Sequence, residues 1–176
     1  IMHPAEVEAC LESMVLLLDS RERPTNKLRE RLRQTGLPYE RVALNVGDYG
    51  AKVKLPNGDW FQLPVEIERK MDITELCMCF CQERGRFTRE FERARDSRNR
   101  LYLLVEGANW ENVYAGKYRS RMRSKSLVAS ILSWVSRYDC QLMFCRDSTT
   151  GKLIRDILYY EAREILLSME EGDSSG

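Results

Sequence analysis

The stretch GDYGAKVKLPNGDWFQLPVEIERK (47–70) decides the fold of this chain. Two strand-like runs flank the residues NGD (57–59), which are a strong signal for a hairpin turn. The second run ends in VEIERK (65–70), where Val65 and Ile67 suit a buried strand but the charged residues around them are costly to bury. The stretch therefore predicts an antiparallel hairpin whose second strand carries charges for a functional reason.

Charged side chains of this hairpin are predicted to meet at one edge of a sheet. Alternate side chains of a strand share a face, so Glu68 and Lys70 point one way and Arg69 the other. The turn at 57–59 brings Asp48, at the start of the first strand, back beside Glu68 and Lys70. Two carboxylates and an ammonium make a site for a hard divalent cation, Mg²⁺ or Mn²⁺, which binds carboxylate oxygens.

Such a site predicts hydrolysis of a phosphodiester. The metal ion activates water and screens the charge of the phosphate that is attacked. Lys70 could orient or deprotonate that water and stabilise the developing charge. The pattern D…(D/E)-x-K on a hairpin is typical of restriction-endonuclease-like nucleases. The alternative interpretation of the same residues is a hairpin edge protected from aggregation by its charges.

The rest of the chain predicts strands and helices in alternation. Apolar runs predict buried strands at 14–19, 101–107 and 140–145, and 39–44 reads as a further strand. Helical patterns cover 24–36, 73–98 with a break at Gly85, 125–138 with Val128, Ile131, Leu132 and Val135 on one face, and 151–168. These patterns predict an α/β fold in which helices flank a mixed β-sheet with one antiparallel hairpin. The expected organisation is an N-terminal extension (1–13), one domain (14–168) and a flexible tail (169–176).

Composition excludes several classes of protein. With 28 basic and 27 acidic residues the net charge is +1, so any nucleic-acid site must arise from local clustering. The longest aliphatic run, 14–18, is far too short to span a membrane, and no signal peptide is visible. We therefore expect a cytoplasmic protein with no membrane partner. The six cysteines lack zinc-site spacing, and Cys77, Cys79 and Cys81 are expected to be free thiols on a helix.

Two basic stretches could supply contacts to DNA phosphates. The segment 117–125 places a cation at every second position with no acid among them: Lys117, Arg119, Arg121, Arg123 and Lys125. The stretch 84–100 includes Arg86 and Arg89, although pairs such as Glu90 with Arg93 can neutralise part of its charge within a helix. Phosphate neutralisation of this kind dominates non-specific nucleic-acid binding, whereas the alternative for both stretches is a solvated surface.

Four motifs in order resemble the nuclease domain of the XPF type, named for the xeroderma pigmentosum group F endonuclease. They are LLLDSRE (16–22), GDY (47–49), VEIERK (65–70) and GRFTREFERA (85–94). The resemblance covers roughly residues 14–166 and is greatest to stand-alone forms carried by bacteria and their phages. It implies a restriction-endonuclease-like fold and a divalent-metal-dependent endonuclease that cuts branched or flapped DNA near junctions between single and double strands.

The resemblance also implies roles for individual residues. The metal-binding acids fall on Asp48 and Glu68, with Asp19 as a further acid. The basic catalytic residue falls on Lys70, and the arginine of the E-R-K triplet is Arg69. From the strand geometry, Arg69 faces away from the metal and is expected to support the site by clamping Glu22 or a backbone carbonyl.

Two departures from the family pattern affect these expectations. The motif usually continues E-R-K-x-x-x-D, but Thr74 stands at the acidic position, with Asp72 and Glu75 beside it as candidate replacements. The helix-hairpin-helix module common in the family is not visible, so junction selectivity would come from this domain, a homodimer or a partner protein. Two alternatives to the structure-specific endonuclease remain: a catalytically silent DNA-binding or scaffold subunit, and a related junction resolvase or restriction-type nuclease.

Overall fold

The structure is a computed structural model and describes residues 2–169. Its elements are, in order, α1 (Pro4–Glu12), β1 (Val15–Asp19), α2 (Asn26–Thr35), β2 (Tyr39–Val42), β3 (Tyr49–Lys54), β4 (Trp60–Gln62), β5 (Val65–Lys70), α3 (Ile73–Cys81), α4 (Arg84–Asp96), β6 (Arg100–Glu106), α5 (Trp110–Ala115), α6 (Ser124–Tyr138), β7 (Gln141–Cys145) and α7 (Thr150–Ser168).

The strands form one seven-stranded mixed sheet in the order β2-β1-β3-β5-β6-β7, with β4 paired to β3. Strand β3 is antiparallel to β1, β4 and β5, whereas β1 with β2, β5 with β6 and β6 with β7 are parallel pairs. The predicted hairpin and α/β fold are therefore confirmed. The second strand of the hairpin is interrupted at Leu63-Pro64, since proline has no N–H to donate to a ladder.

Helices cover both faces of the sheet and bury two apolar cores. Helices α1, α2 and α7 pack on the face that carries Leu16, Tyr49 and Ile67. Helices α3, α4 and α6 pack on the other face, where Leu103 and Trp134 lie in the second core. Trp134 is 1% exposed and makes aromatic contacts with Phe80, Phe87 and Phe91. The prediction that Trp134 belongs to the core is thus confirmed.

Two local expectations differ from the structure. The break in the long helical segment falls between α3 and α4, at residues 82–83, and Gly85 lies in the first turn of α4. Helix α6 buries Leu127, Ile131 and Trp134, which leaves Leu132 47% exposed rather than on the buried face. Trp134 fills the space under the sheet, so it sets the orientation of the helix about its axis.

Two predicted segments lie at the ends of the chain, the N-terminal extension (1–13) and the flexible tail (169–176). Residues 4–12, assigned to an extension, form α1, and its Val7, Cys10 and Leu11 lie in the first core. His3 caps this helix by accepting a hydrogen bond from the Ala5 backbone N–H at 3.2 Å. Apart from Met169, the predicted flexible tail lies outside the described residues. Within residues 2–169, no helix combines the length and the hydropathy that crossing a membrane requires.

Candidate active site

Gly47 brings the start of β3 close to the end of β5. Its φ of +77° is a left-handed conformation, and a Cβ there would lie 3.0 Å from the Glu66 Cβ and 3.1 Å from the Ile67 carbonyl oxygen. Glycine is therefore the residue that fits. The close approach lets the Asp48 N–H donate to the Ile67 carbonyl at 2.8 Å, and the Arg69 N–H donate to Asp48 Oδ2 at 2.8 Å.

Glu68 and Lys70 lie on the same face of β5, beside Asp48. Lys70 Nζ is 2.8 Å from Glu68 Oε1 and 5.4 Å from the centroid of the Phe87 ring. Burial is the largest single effect and lowers the pKa of Lys70, but Glu68, Cys79 and Glu75 together outweigh it, so the pKa lies above its ordinary value. Lys70 is therefore an ammonium, which favours charge stabilisation over proton abstraction among the roles that the sequence left open.

These side chains line a cavity of about 260 Å³ with an acidic floor and a basic rim. The floor includes Asp48 and Glu68, and Arg86 and Arg93 of α4 lie at the opening. The full lining is Asp19, Arg21, Glu22, Gly47, Asp48, Glu68, Lys70, Cys79, Glu83, Arg86, Phe87, Glu90 and Arg93. The structure thus brings together Asp19, Asp48, Glu68 and Lys70, as the sequence predicted.

The acidic floor is electrostatically unfavourable when no cation is present. Burial raises the pKa of Asp48, and the neighbouring Glu22 carboxylate raises it further. Burial also raises the pKa of Glu68, with added repulsion from Asp48 and Glu90. Several carboxyl groups that share a desolvated space either take up protons or bind a cation.

Asp48 and Glu68 suit a magnesium-type ion as a pair of ligands. Among residues 2–169, no three His, Cys, Asp or Glu side chains converge as a complete metal-binding group. Mg²⁺ keeps several waters and is held in proteins by one or two carboxylates, the number that Asp48 and Glu68 supply. Hard carboxylate oxygens in a polar cavity therefore fit the expected cofactor.

Asp19 is less available than the other two acids. Its Oδ1 accepts the Leu44 N–H at 3.0 Å, and its Oδ2 accepts the Arg21 guanidinium at 2.8 Å. The Arg21 side chain is 72% exposed, whereas that of Asp19 is 5% exposed. Arg21 would have to move before Asp19 could contact a cation.

Arg69 points to the opposite face of the sheet, as the strand geometry predicted. Its guanidinium is 3.1 Å from Glu106 Oε1, and Arg31 of α2 lies 3.7 Å from the same oxygen. The partner of Arg69 is therefore Glu106 rather than the Glu22 or backbone carbonyl that we expected. Tyr49 does not line the cavity. It is fully buried on this face, and its hydroxyl oxygen accepts a hydrogen bond from Arg31 at 2.8 Å.

The residues around the missing motif acid have structural partners. Asp72 caps α3 by accepting the Glu75 N–H at 2.7 Å, and Glu75 accepts the Met71 N–H at 2.7 Å. Glu75 lies 3.9 Å from Lys70 Nζ. Thr74 Oγ1 accepts the backbone N–H of Arg119 at 3.2 Å. Neither Asp72 nor Glu75 lines the cavity.

Glu66 lies on the same face as Glu68 but deeper. It is 3% exposed, and its Oε1 accepts the Asn99 side-chain amide at 2.8 Å while its Oε2 has no partner. Burial raises the pKa of Glu66 to about 7, against the opposing effect of the Asn99 hydrogen bond. Glu66 does not line the cavity.

Glu90 is the site residue that sequence reasoning missed. Its Oε1 accepts the Gly47 N–H at 3.2 Å, and it faces Glu68 across the cavity. We expected Glu90 to pair with Arg93 within α4, but Arg93 Nε donates to the Asn45 backbone carbonyl at 3.3 Å, and no ion pair within residues 2–169 joins Arg93 to Glu90. The signal was the spacing of Arg86, Glu90 and Arg93, which follows i, i+4, i+7 beside the buried Phe87 and Phe91.

The segment 117–125 is a structured loop that displays its cations. Lys117, Arg119, Arg121, Arg123 and Lys125 are all exposed, and the residues between them are half-buried. No ion pair within residues 2–169 involves any of these five side chains. In α4, Arg86 is exposed at the cavity, while Arg89 is exposed but lies outside its wall.

The fold and the site define a class of protein. A mixed sheet that carries Asp48, Glu68 and Lys70 at the edge of an antiparallel hairpin is the restriction-endonuclease-like arrangement. The ERCC4 domain matches residues 18–157, and the chain belongs to this family. The resemblance read from the sequence motifs is thereby confirmed.

Solved structures of XPF from Aeropyrum pernix share this fold. One aligns with a TM-score of 0.61 and 20% identity over 86% of this chain and 66% of that chain. A second, XPF in complex with DNA, aligns with a TM-score of 0.54 and 20% identity over 89% of this chain and 68% of that chain. This chain thus spans about two thirds of their length. No curated protein sequence matches it.

Proposed function

We propose that this domain is a divalent-metal-dependent DNA endonuclease that cuts branched or flapped DNA near junctions of single and double strands. The observation that carries the proposal is the convergence of Asp48, Glu68 and Lys70 in one polar cavity. Membership of the ERCC4 family supports the activity, and the solved structure of XPF in complex with DNA supports DNA as the partner.

In this mechanism, Asp48 and Glu68 would hold the cation, Mg²⁺ or Mn²⁺. The bound ion would polarise the scissile phosphate and lower the pKa of the attacking water. Lys70, next to Glu68, donates hydrogen bonds to the negative charge that develops on the phosphate. Arg86 and Arg93 at the opening bind adjacent phosphates and orient the strand. The Arg69 backbone N–H fixes the Asp48 carboxylate by its 2.8 Å hydrogen bond.

Cleavage assays with carboxylate variants test this proposal. Substitution Glu68→Gln or Asp48→Asn should reduce Mg²⁺-dependent cutting of a labelled 3′-flap duplex by at least about a thousandfold, because each removes a charge that holds the cation. DNA affinity should stay within about twofold of wild type, since the proposed phosphate contacts come from other residues. Gel-based cleavage and fluorescence anisotropy measure the two quantities.

Matched substrates separate this function from its alternatives. A four-way junction and a linear duplex run in parallel with the flap distinguish a structure-specific endonuclease from a junction resolvase or restriction-type enzyme. DNA binding without cutting in either Mg²⁺ or Mn²⁺ would instead support a silent scaffold subunit. Cutting by Glu68→Gln at the wild-type rate would refute the assignment of the metal site.

A further inference from the structure

A surface with an exposed tryptophan lies on the same sheet face as the cavity. Along β3, Tyr49, Ala51 and Val53 are fully buried in the first core, so the alternate residues face the other way. Asp48 begins this other row, and Lys52 and Lys54 continue it along the strand. In the paired strand β4, Gln62 lies opposite Lys52 and Trp60 lies opposite Lys54.

Trp60 combines an available aromatic ring with positive charge. It is 49% exposed, whereas Trp134 in the second core is 1% exposed. Lys52 Nζ lies 4.5 Å and Lys54 Nζ 6.0 Å from the centroid of the Trp60 ring. Glu40 pairs with Lys52 at 2.9 Å, while Lys54 has no ion-pair partner within residues 2–169. We call Lys52, Lys54 and Trp60 the hairpin surface.

The hairpin surface suits an unpaired DNA strand. Proteins bind single strands by stacking bases on aromatic rings beside cations that contact the backbone, and duplex DNA offers no free base face for such stacking. A half-exposed indole beside two lysines has this combination. In contrast, the five-cation loop 117–125 suits phosphates alone, since its alternate residues Tyr118 and Met122 pack on the second core.

The hairpin surface lies a few nucleotides away from the proposed site of cutting. Six residue steps separate Asp48 from Lys54, which corresponds to roughly 20 Å along the strand. That distance is about six nucleotides at the B-form rise of 3.4 Å, and fewer in an extended strand. Gly50 lies between them with no side chain, and Leu44 lies over it. A strand that leaves the cavity along this sheet face therefore reaches Trp60 within a few nucleotides.

We propose that Trp60, Lys52 and Lys54 bind the unpaired arm of the DNA substrate. The inference rests on the proposed function only in taking DNA as the substrate. It assigns to the β3–β4 hairpin a part of the selectivity for branched DNA, because a fully paired duplex has no base to stack on the ring.

Equilibrium binding in EDTA tests this proposal without any contribution from catalysis. Fluorescence anisotropy would follow a labelled oligothymidylate of about 12 nucleotides, within the usual site size of single-strand binders, and a duplex of equal length. Trp60→Ala should weaken binding of the oligothymidylate about tenfold, the loss expected for one stacked base, and leave duplex binding within about twofold. Trp60→Phe should lose less, because it keeps a ring.

Tyr114→Ala is the matched control, since Tyr114 is also an exposed aromatic residue, at 62%, but lies on α5. The proposal would be overturned if Trp60→Phe and Trp60→Ala bound the oligothymidylate with the same affinity as Tyr114→Ala. An equal loss on single strand and duplex would also overturn it, because the surface would then bind phosphates without regard to pairing. Failure of the cleavage assay would leave this binding result unaffected, so the two proposals fail separately.

Discussion

Glu106 is a buried carboxylate on which two arginines converge, on the sheet face opposite Glu68 and Lys70. It is 6% exposed at the end of β6, with Arg69 at 3.1 Å and Arg31 at 3.7 Å from the same oxygen. The ion pairs with Glu106 on one face of the sheet therefore hold Arg69 in place. The Arg69 backbone N–H in turn orients Asp48, a proposed metal ligand on the other face.

Removal of the Glu106 charge should destabilise the fold. In Glu106→Gln the guanidiniums of Arg31 and Arg69 lose their anionic partner while they stay largely buried. We expect the free energy of unfolding to fall by about 3 kcal/mol, in the range for breaking a buried ion pair. Urea denaturation followed by circular dichroism measures this change.

Glu30→Gln is the control for that experiment, because Glu30 pairs with Arg33 on the exposed side of α2. Its denaturation midpoint should match that of the wild type, since exposed ion pairs contribute little. Equal midpoints for Glu106→Gln and Glu30→Gln would show that the buried cluster contributes nothing to stability.

Single residues were predictable where the local backbone determines their direction. Strand alternation placed Glu68 and Lys70 on one face and Arg69 on the other, and the hairpin turn brought Asp48 beside them. Glu106 was not predictable in this way, and the spacing of Glu90 with Arg86 and Arg93 could place Glu90 on a face of α4 but not beside Glu68. Each comes from an element far along the chain, and no periodic pattern links an acid of β6 or α4 to a residue of β5.

At the scale of elements, the loop 117–125 owes its exposed charges to the residues between them. Tyr118 donates its hydroxyl hydrogen to the Met122 carbonyl at 2.7 Å, and Ser124 Oγ donates to the Val113 carbonyl at 2.7 Å. The Arg119 N–H donates to Thr74 at the start of α3. The loop is thus fixed beside α3, the helix that follows β5.

Arg121 and Arg123 are expected to contact DNA phosphates. The double variant Arg121→Ala with Arg123→Ala should weaken duplex binding and reduce the slope of log affinity against log salt by about 2, because each phosphate contact contributes about 0.9 to that slope. Anisotropy titrations at several salt concentrations give the slope directly.

A double variant of Arg155 and Arg163 on α7 is the control, since both are exposed arginines on the other side of the sheet. It removes the same charge, so a general electrostatic effect would alter both variants alike. The same slope for the two double variants would argue against phosphate contact by the loop.

Element bounds were predictable where sequence signals were strong. The turn at 57–59 and the capped helix α2, which begins after Thr25 and ends at Gly36, follow their signals. The break between α3 and α4 was displaced because Gly85 is tolerated in the first turn of a helix. The side that α6 buries followed Trp134 rather than the aliphatic residues, since the large ring fills the space beneath the sheet.

For the whole molecule, alternation of strands and helices sufficed to predict a mixed sheet with helices on both faces. The order of the strands was not predictable, because pairing of β3 with both β1 and β5 depends on contacts between distant segments. Because β3 lies between β1 and β5, Asp48 lies between residues 19–22, which begin at the last residue of β1, and the end of β5. The acidic floor of the cavity is thus a product of the sheet order.

The function depends on whether Asp48 and Glu68 bind a divalent cation, and thermal unfolding tests this most directly. For a site with a Kd of about 1 mM, about 10 mM Mg²⁺ should stabilise the native state by roughly 1.4 kcal/mol. In a protein of this size, that gain raises the Tm by about 3–6 °C. Asp48→Asn should unfold at a higher Tm than the wild type in EDTA, because it relieves repulsion between buried carboxylates.

The decisive comparison is the Mg²⁺-induced shift in Tm of the two proteins. We predict that the wild type shows the increase and that Asp48→Asn, although more stable in EDTA, shows none. An equal increase in both proteins would place the cation elsewhere. No increase in either protein at any Mg²⁺ or Mn²⁺ concentration would contradict a cation site in this cavity.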